Sequence, residues 1–233
     1  MTPGTLYVVA TPIGNLEDIT LRALRVLREV GLVACEDTRR TRTLLTHFGI
    51  HVPVTSYFEH NKMAKGPAIL KTLREGKSVA LVTDAGTPGI SDPGFLLVRE
   101  AREAGIPVVP VPGPSAVVAA LSAAGIPADR FVFDGFLPVK PGKRIHRLEA
   151  LRELQMTLVC YESPHRILAA LEAIGQVFGQ VEIILARELT KQFEEIVRGT
   201  PEALRERFAA GTVRGEFTLV IPYTKGPCPS PKP

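Results

Sequence analysis

The chain has 233 residues and a formal net charge of +4, with 45% hydrophobic and 22% charged residues. This composition is typical of a globular protein with a substantial core, and the length allows one large domain or two closely packed ones. An apolar run of about 18 residues, which a transmembrane helix needs, is absent from the sequence. The three cysteines are far apart and form no CxxC pair, which disfavours a zinc site or a disulfide framework and favours a reducing, cytoplasmic location.

The first half of the chain alternates strand-like and helix-like segments. Because a helical crossover returns the chain to the same edge of a sheet, this alternation predicts parallel strands. The strands are almost continuously apolar, which indicates that helices cover both faces of the sheet. We predict these strands at residues 6–11, 32–36, 53–58, 78–84 and 106–112.

The pattern changes after a predicted helix at 114–124. Strand-like segments then include VEIILARE and EEIVRG, which are so close in the chain that we expect them to pair antiparallel. The sequence therefore predicts two α/β domains, 1–113 with a parallel sheet and 114–223 with a mixed sheet. Residues 224–233 have too little apolar content to fold and are predicted to form a flexible tail.

The segment DAGTPGISDPG at 84–94 is the strongest functional signal. It follows the fourth predicted strand, at the edge of a parallel sheet where ligands bind. Its three glycines allow positive φ angles and close approach of a ligand, and its two prolines restrict the backbone. Neither GxGxxG after the first strand nor GxxxxGK[ST] occurs, and Pro12 removes an amide that a phosphate site would use. These features favour an adenosine-like ligand over pyrophosphate.

Basic residues are concentrated in two parts of the sequence, 39–42 and 140–147. Such clusters fit a polyanionic partner such as RNA, although solvated helix faces are the alternative interpretation. The second cluster lies in PVKPGKRIHR, which we predict to be a mobile loop that orders on RNA, or else a connector between domains.

Eight stretches carry a resemblance to a known family. They are LYVVATPIGNLEDIT, ACEDTRRT, LVTDAGTPGISDPG, PGPSA, FVFDGFLP, YESPHRI, ARELTKQFEE and GEFTLVI, in this order from residue 6 to residue 221. The chain resembles the tetrapyrrole methylase superfamily, specifically its ribosomal RNA small-subunit methyltransferase I branch, for which DAGTPGISDPG and YESPHRI are most specific. In the corrin-making relatives a GDP-type motif stands where this chain has Gly86-Thr87-Pro88, so the role of its acidic residue does not transfer.

The resemblance implies an S-adenosylmethionine cleft between two α/β domains, a homodimer, and methyl transfer to the ribose 2′-oxygen of a cytidine in the decoding region of 16S rRNA within the small ribosomal subunit. Free amides at the start of the helix after VPGPSA suit the methionine carboxylate. Phe136 and Tyr161 are also implied as cofactor contacts, and packing in the protein core is the alternative role for both side chains. The cofactor-binding positions that it implies are Pro12, Ile13, Asp84, Gly86, Thr87, Ile90, Ser115, Ala116, Phe136 and Tyr161.

RNA contacts are expected from the two basic clusters and from YESPHRI, whose arginine suits a phosphate or a base edge. The RNA-binding positions are Arg39, Arg40, Arg42, Lys140, Lys143, Arg144, Arg147 and Arg166. A metal ion is not required for methyl transfer from a sulfonium, and no ligand cluster is visible in the sequence.

A ribose hydroxyl is a poor nucleophile, so we expect a general base near a strand end. The sequence leaves the choice open, and the acidic residues of CEDTRRT have the alternative role of orienting its arginines toward phosphate. Candidates are Glu36, Asp37, Glu59, His60, Glu188 and Lys191, of which Glu36, Glu188 and Lys191 are the predicted catalytic residues.

Two other functions stay open at this point. The first is a methylase of the same fold that acts on a precorrin-like macrocycle, against which the basic clusters argue. The second is a non-catalytic RNA-binding protein that retains the fold. Binding of S-adenosylmethionine, and methyl transfer to tetrapyrrole or to small ribosomal subunits, discriminate among the three.

Overall fold

The computed structural model of the chain describes residues 2–92 and 94–223. Pro93 of the 84–94 segment and the predicted tail 224–233 lie outside the described residues. The chain divides into two compact units that meet in sequence at Ser115 and Ala116. Each unit contains one five-stranded sheet.

The first unit is built on a parallel sheet, as the alternating pattern predicts. Its strands lie in the order β3-β2-β4-β1-β5, and every neighbouring pair is parallel. A short 3-10 helix at Leu16–Asp18 follows the first strand. The strands are β1 (Leu6–Val9), β2 (Leu32–Cys35), β3 (Val54–Ser56), β4 (Val79–Leu81) and β5 (Val108–Val111), and the helices are α1 (Leu21–Glu29), α2 (Thr38–His47), α3 (Lys62–Arg74) and α4 (Phe95–Glu103).

Helices cover both faces of this sheet, which confirms the interpretation of its apolar strands. Because side chains alternate along a strand, Val33 of β2 packs on one face against α1 and α2, and Ala34 packs on the other against α3 and α4. Both side chains are completely buried. The carboxyl ends of β1, β2 and β4 therefore emerge side by side at one edge of a rigid layer.

Strand β5 forms one edge of the first sheet and contains Pro110. The Leu6 amide donates to the Pro107 carbonyl at 2.9 Å, and the Ala10 amide donates to the Val111 carbonyl at 3.2 Å. Since the direction of the backbone N–H and C=O groups alternates along a strand, these groups point toward β1 at the odd-numbered residues of β5. Pro110 faces the outer edge.

The second unit has the predicted mixed sheet, in the order β6-β7-β10-β8-β9. Strands β6 and β7 are parallel, and the remaining pairs, including β8 with β9, are antiparallel. The strands are β6 (Phe131–Phe136), β7 (Thr157–Glu162), β8 (Ile183–Arg187), β9 (Glu195–Gly199) and β10 (Phe217–Ile221), and the helices are α5 (Ala116–Ala123), α6 (Pro141–Arg152), α7 (Ile167–Phe178) and α8 (Pro201–Ala209).

The prediction of a mobile loop or connector over 138–147 is wrong, because α6 begins at Pro141. Proline is well suited to the first position of a helix, since its fixed φ is already helical and no intrahelical partner exists there for an amide. Further along the helix, Leu148 and Leu151 pack into the core of the second unit with Ile145 against them. The segment thus forms a helix because its apolar residues have helical spacing, although its Pro, Gly and Lys content is typical of a loop.

Candidate functional site

The loops that leave β1, β4 and β5 are tied together by hydrogen bonds. Thr11 and Gly86 exchange two backbone bonds, with N–O distances of 2.9 and 3.0 Å. The Thr11 hydroxyl donates to the Thr83 carbonyl at 3.0 Å, and the Thr87 hydroxyl donates to the Pro114 carbonyl at 3.3 Å. Three loops at the carboxyl edge of the parallel sheet therefore form one connected surface.

Gly86 adopts a φ of 84°, which L side chains rarely adopt. Its Cα lies against Ile13, because a Cβ built there would be 3.6 Å from Ile13 Cγ2. Among the described residues, the amides of Ala85 and Thr87 have no hydrogen-bond acceptor, and Ile90 is 49% exposed. The turn thus presents backbone donors together with apolar side chains.

Asp92 holds the remainder of the 84–94 segment in shape. Its Oδ1 accepts hydrogen bonds from the amides of Gly89 and Gly94, at 2.7 and 2.6 Å. Its Oδ2 is buried without a hydrogen-bond partner among the described residues. An aspartate that binds amides within its own loop restricts that loop, a role for Asp92 that the sequence reasoning missed.

A pocket of about 260 Å³ opens beside these loops, entirely within the first unit. Its polar lining includes the buried threonines Thr11, Thr41 and Thr83, and its apolar lining includes Leu16 and Leu44. Residues after β1 and β4 and the first turns of α2 all contribute. The three threonines and Leu16 lie within stretches that carry the family resemblance and Leu44 does not, and only the fold brings these side chains together.

Asp84 and Arg40 form the charged part of the pocket wall. Asp84 Oδ1 accepts the Asp37 amide at 3.0 Å, and Asp84 Oδ2 lies 3.6 Å from an Arg40 guanidinium nitrogen. The sequence predicts a cofactor contact for Asp84 and an RNA contact for Arg40, and the structure places the two side chains next to each other. Pro12 also lines this pocket, whereas Ile13 does not.

The three arginines of α2 differ in their partners. Asp37 caps the helix by accepting the Arg39 amide at 2.8 Å, and its carboxylate pairs with the Arg39 guanidinium at 2.9 Å. These hydrogen bonds lower the pKa of Asp37 to about 2. Arg40 pairs with Asp84. Arg42 is exposed and, within 2–92 and 94–223, has no ion pair, so its charge is the most available for phosphate.

Glu36 stands directly after β2 and is exposed. Partial desolvation and the negative charges of Asp84 and Asp92 raise its pKa, while Arg40 opposes the shift. A carboxyl group accepts a proton more readily when its pKa is raised toward the working pH. Of the three predicted catalytic residues, Glu36 has the environment that best suits a base.

Glu188 and Lys191 instead form an ion pair in the second unit. Glu188 Oε1 accepts from Lys191 Nζ at 2.8 Å and from the Glu216 amide at 3.0 Å. Desolvation favours the neutral form of each group, but the hydrogen bonds outweigh it. They lower the pKa of Glu188 and raise the pKa of Lys191. Gly215, at a φ of 93°, packs so closely that a Cβ there would overlap Glu188 Cγ. Both groups are held in their charged forms.

The YESPHRI segment forms a compact cluster with the aromatic residues of β6 and β7. Glu162 is fully buried, and its Oε1 accepts from Arg166 at 2.7 Å and from the Ser163 amide at 2.8 Å. The Arg166 guanidinium lies 5.8 Å from the Phe136 ring centre, and Phe136 makes an edge contact with Tyr161 at 5.7 Å. Arg166 therefore stabilises this cluster, whatever it contacts outside the chain.

The basic residues of the second cluster are placed differently from one another. Arg144 is only 4% exposed, and its guanidinium donates to the Pro138 and Val139 carbonyls at 3.0 and 2.8 Å. Arg147 pairs with Asp134, and Lys140 and Lys143 are exposed. Because Arg144 is buried, we leave it out of the proposed RNA-binding surface.

Two pairs of predicted positions remain. Ser115 and Ala116 are half-buried, at the end of the first unit and the start of the second. Glu59 and His60 lie in the turn before α3. Glu59 pairs with Lys62 at 2.6 Å. In the part of the chain that the structure describes, no group of three or more His, Cys, Asp or Glu side chains is arranged to hold a metal ion. No described helix is both long and apolar enough to cross a bilayer.

The fold and these motifs match known proteins. Residues 5–205 match the tetrapyrrole (corrin/porphyrin) methylases. A ribosomal RNA small subunit methyltransferase I of Pseudomonas aeruginosa is 52% identical over 97% of this chain and 82% of its own length. The protein of the same name from Escherichia coli O157:H7 is 54% identical over 85% of this chain and 69% of its own length.

Solved structures of the fold are more distant in sequence. A cobalt precorrin-4 methyltransferase matches with a TM-score of 0.70 at 20% identity, over 94% of this chain and 95% of its own. A diphthine synthase matches with a TM-score of 0.72 at 17% identity, over 94% and 90%. At these identities the likeness concerns the fold alone, whereas the family match and the relatives at about 50% identity decide the membership. The chain belongs to the tetrapyrrole methylase family, in the group of the ribosomal RNA small subunit methyltransferases I.

Proposed function

We propose that the chain transfers a methyl group from S-adenosylmethionine to the ribose 2′-hydroxyl of a cytidine in the decoding region of 16S rRNA. The observation that carries this proposal is the identity of 52% with a ribosomal RNA small subunit methyltransferase I over nearly the whole chain. The cytidine and its 2′-oxygen follow from the resemblance of DAGTPGISDPG and YESPHRI to that branch. A homodimer, a cytoplasmic location and the small ribosomal subunit as substrate are further parts of the proposal.

The surface at the carboxyl edge of the first sheet fits such a cofactor. S-adenosylmethionine has an apolar adenine face and polar groups that accept hydrogen bonds, and the Gly86 turn offers Ile13 and Ile90 beside the amides of Ala85 and Thr87. When bound, it supplies a methyl group on an electrophilic sulfonium. The carried-over contacts at Pro12, Asp84, Ser115, Ala116, Phe136 and Tyr161 belong to this proposal.

The chain's contribution to the reaction is to position the ribose and to accept its proton. Correct orientation alone lowers such barriers by roughly 7–11 kcal/mol, and a base adds about 10²–10⁴-fold. We assign the proton to a Glu36 carboxylate oxygen. Its raised pKa suits that task, whereas Glu188 and Lys191 neutralise each other.

Substitution of Gly86 by alanine tests the cofactor surface. We expect the affinity for S-adenosylmethionine to fall by at least about tenfold, because a non-glycine residue at this φ costs roughly 1–3 kcal/mol and shifts the turn. The measurement is isothermal titration of the cofactor. Gly49 is a matched control, since it has a φ of 61° and open space around it, so G49A carries similar strain away from the site. Equal affinities of the two variants would contradict the proposed role of the turn.

Substitution of Arg42 by glutamine tests the RNA surface on α2. Each phosphate contact that is lost reduces the slope of log affinity against log salt by about 0.7–0.9, so we expect R42Q to bind RNA less tightly and with a shallower slope. Filter binding of 16S rRNA over a salt series gives both quantities. Arg25 is a suitable control, because it is exposed on α1 and pairs with Glu29. A change of slope in R25Q that equals that of R42Q would count against a specific surface.

Methyl mapping tests the proposed function directly. The purified chain is incubated with labelled S-adenosylmethionine and with 30S subunits, naked 16S rRNA or a precorrin-type macrocycle, and the products are located by mass spectrometry. We expect label on a ribose 2′-oxygen of a cytidine in the decoding region. Label on the macrocycle alone, or RNA binding without binding of the methyl donor, would overturn the proposal. Sedimentation analysis of the same sample tests the dimer.

A further inference from the structure

The pocket of about 260 Å³ beside α2 is not explained by the cofactor surface, although both lie at the same edge of the sheet. The Gly86 turn and Ile13, which present the backbone donors and apolar side chains of the cofactor surface, do not line the pocket, whereas Pro12 and Asp84, two of the carried-over cofactor positions, do. Pockets for drug-sized ligands measure roughly 300–1,000 Å³. This volume is therefore suited to a single flat ring, and it is small for a complete S-adenosylmethionine.

The chemistry of the lining points to a heterocyclic ring with a polar edge. Leu16 and Leu44 provide apolar surface, on which the faces of a base pack when it leaves its helical stack. The charged part of the wall is the Asp84–Arg40 pair, in which an acceptor and a set of donors lie 3.6 Å apart. Pocket walls of this kind read a base by hydrogen bonds to its Watson–Crick edge.

The order of acceptor and donor at this pair matches cytosine. Cytosine has an amino donor beside the acceptors N3 and O2, and carboxylates commonly accept from that amino group. Asp84 Oδ1 accepts from the Asp37 amide. Asp84 Oδ2 pairs with Arg40 at 3.6 Å, which is longer than a hydrogen bond, so this oxygen can still accept from a ligand amino group. Uracil has the opposite pattern, with an acceptor at O4 and a donor at N3, so its O4 would face the carboxylate. A phosphate group is disfavoured as well, because the negative charge of Asp84 would repel it.

We propose that this pocket holds the base of the target nucleotide and that Asp84 and Arg40 select cytosine over uracil, which assigns Asp84 to the base in place of the cofactor contact carried over from the resemblance. This inference rests on the proposed function, because it concerns the base whose ribose is methylated. Glu36 is the neighbour in sequence of Asp37, whose amide binds Asp84. The base-reading pair and the proposed proton acceptor are thus linked through one short segment at the end of β2.

The test measures methylation of two substrates by four proteins. Small subunits are reconstituted with 16S rRNA that carries either cytidine or uridine at the methylated position, and kcat/KM is determined for each with the unmodified chain and with D84N, R40Q and R39Q. We expect the unmodified chain to favour cytidine by at least about tenfold. In D84N the new amide group can donate to uracil O4, so the ratio should fall toward one. R40Q should lower the ratio as well.

R39Q is the matched control. Arg39 is on the same helix and carries the same charge, but it pairs with Asp37 and does not line the pocket. We expect R39Q to change RNA affinity without changing the ratio between cytidine and uridine. The KM for S-adenosylmethionine and the melting temperature of each variant are recorded in parallel. D84N should remain folded, since the carbonyl oxygen of the asparagine side chain can still accept from the Asp37 amide.

The outcomes separate the inference from the proposed function. Methylation of neither substrate by the unmodified chain would overturn both. Equal methylation of cytidine and uridine would be consistent with the proposed methyltransferase function but would overturn the assignment of the pocket to the base. A raised KM for S-adenosylmethionine in D84N with an unchanged ratio would assign Asp84 to the cofactor and also overturn it. A ratio that falls in D84N and R40Q and persists in R39Q supports the inference.

Discussion

Replacement of Glu36 by glutamine is expected to lower kcat by about 10²–10⁴-fold, the usual contribution of a general base. Glutamine has nearly the same shape but does not accept the proton of the ribose hydroxyl. The affinities for RNA and S-adenosylmethionine should change little, because Glu36 is exposed and makes no structural ion pair with a described residue. Single-turnover methyl transfer to 30S subunits, measured with saturating cofactor, gives this rate.

The pH dependence provides a second test of the same residue. Desolvation and the charges of Asp84 and Asp92 raise the pKa of Glu36, and the base is active only when it is deprotonated. As the pH falls, kcat/KM should therefore decline at a higher pH than for a carboxyl group of ordinary pKa, and E36Q should lack this decline. E188Q is the control, because Glu188 is paired with Lys191 and its pKa is lowered. Loss of the rate in E188Q with full activity in E36Q would assign the base to the second unit.

Replacement of Arg166 by alanine is expected to destabilise the second unit by about 3 kcal/mol at neutral pH, near the lower end for a broken buried ion pair. Glu162 is fully buried, and Arg166 is its ion-pair partner. Without the Arg166 guanidinium the buried carboxylate loses its ion-pair partner and keeps only the Ser163 amide and the attraction of Arg144, and its second oxygen already has no partner among the described residues. Urea titration followed by circular dichroism measures the loss.

The sign of the pH effect follows from the pKa of Glu162. Burial already raises this pKa, and Arg166 opposes the rise, so its removal raises the pKa further. A folded state with a raised carboxyl pKa binds protons more tightly than the unfolded chain, and stability falls as the pH rises between the two pKa values. The deficit of R166A should therefore be smaller at pH 5 than at pH 7.5.

Two further variants show whether the buried charge is the cause. The double variant E162Q/R166A removes it and should recover most of the loss. R198A is the surface control, because Arg198 and Glu182 are both about half exposed, and such pairs contribute about 0–1 kcal/mol. A loss in R166A that is no greater than in R198A would contradict a structural role for the Glu162–Arg166 pair.

The parallel and mixed sheets were predictable because strand type depends on local patterns. Continuous apolar strands separated by helices require parallel pairing, and the short link between β8 and β9 requires antiparallel pairing. The position of the 84–94 segment at the edge of the first sheet follows from the same reasoning. Its internal bonding through Asp92 does not, since loop backbone is determined by contacts within the segment.

The arrangement of charged side chains was less predictable than the sheets. Arg144 and Arg147 are three residues apart in one basic stretch, yet Arg144 is buried on backbone carbonyls and Arg147 is at the surface. The same limit applies to Arg40 and Asp84, which are 44 positions apart and meet only because β2 and β4 are neighbours. Composition indicates how many charges a surface has, whereas tertiary pairing decides which of them are available.

Pro110 has a consequence for how the protein behaves at high concentration. An edge strand with free amides is a template on which a strand from another molecule pairs, and this is a route to aggregation. At the outer edge of β5, position 110 has no N–H to donate. Because β5 has only four residues, few hydrogen bonds with a strand from another molecule are possible there. An intruding strand would leave one of its own carbonyls unsatisfied opposite Pro110. The placement of this single residue thus protects the parallel sheet against intermolecular extension.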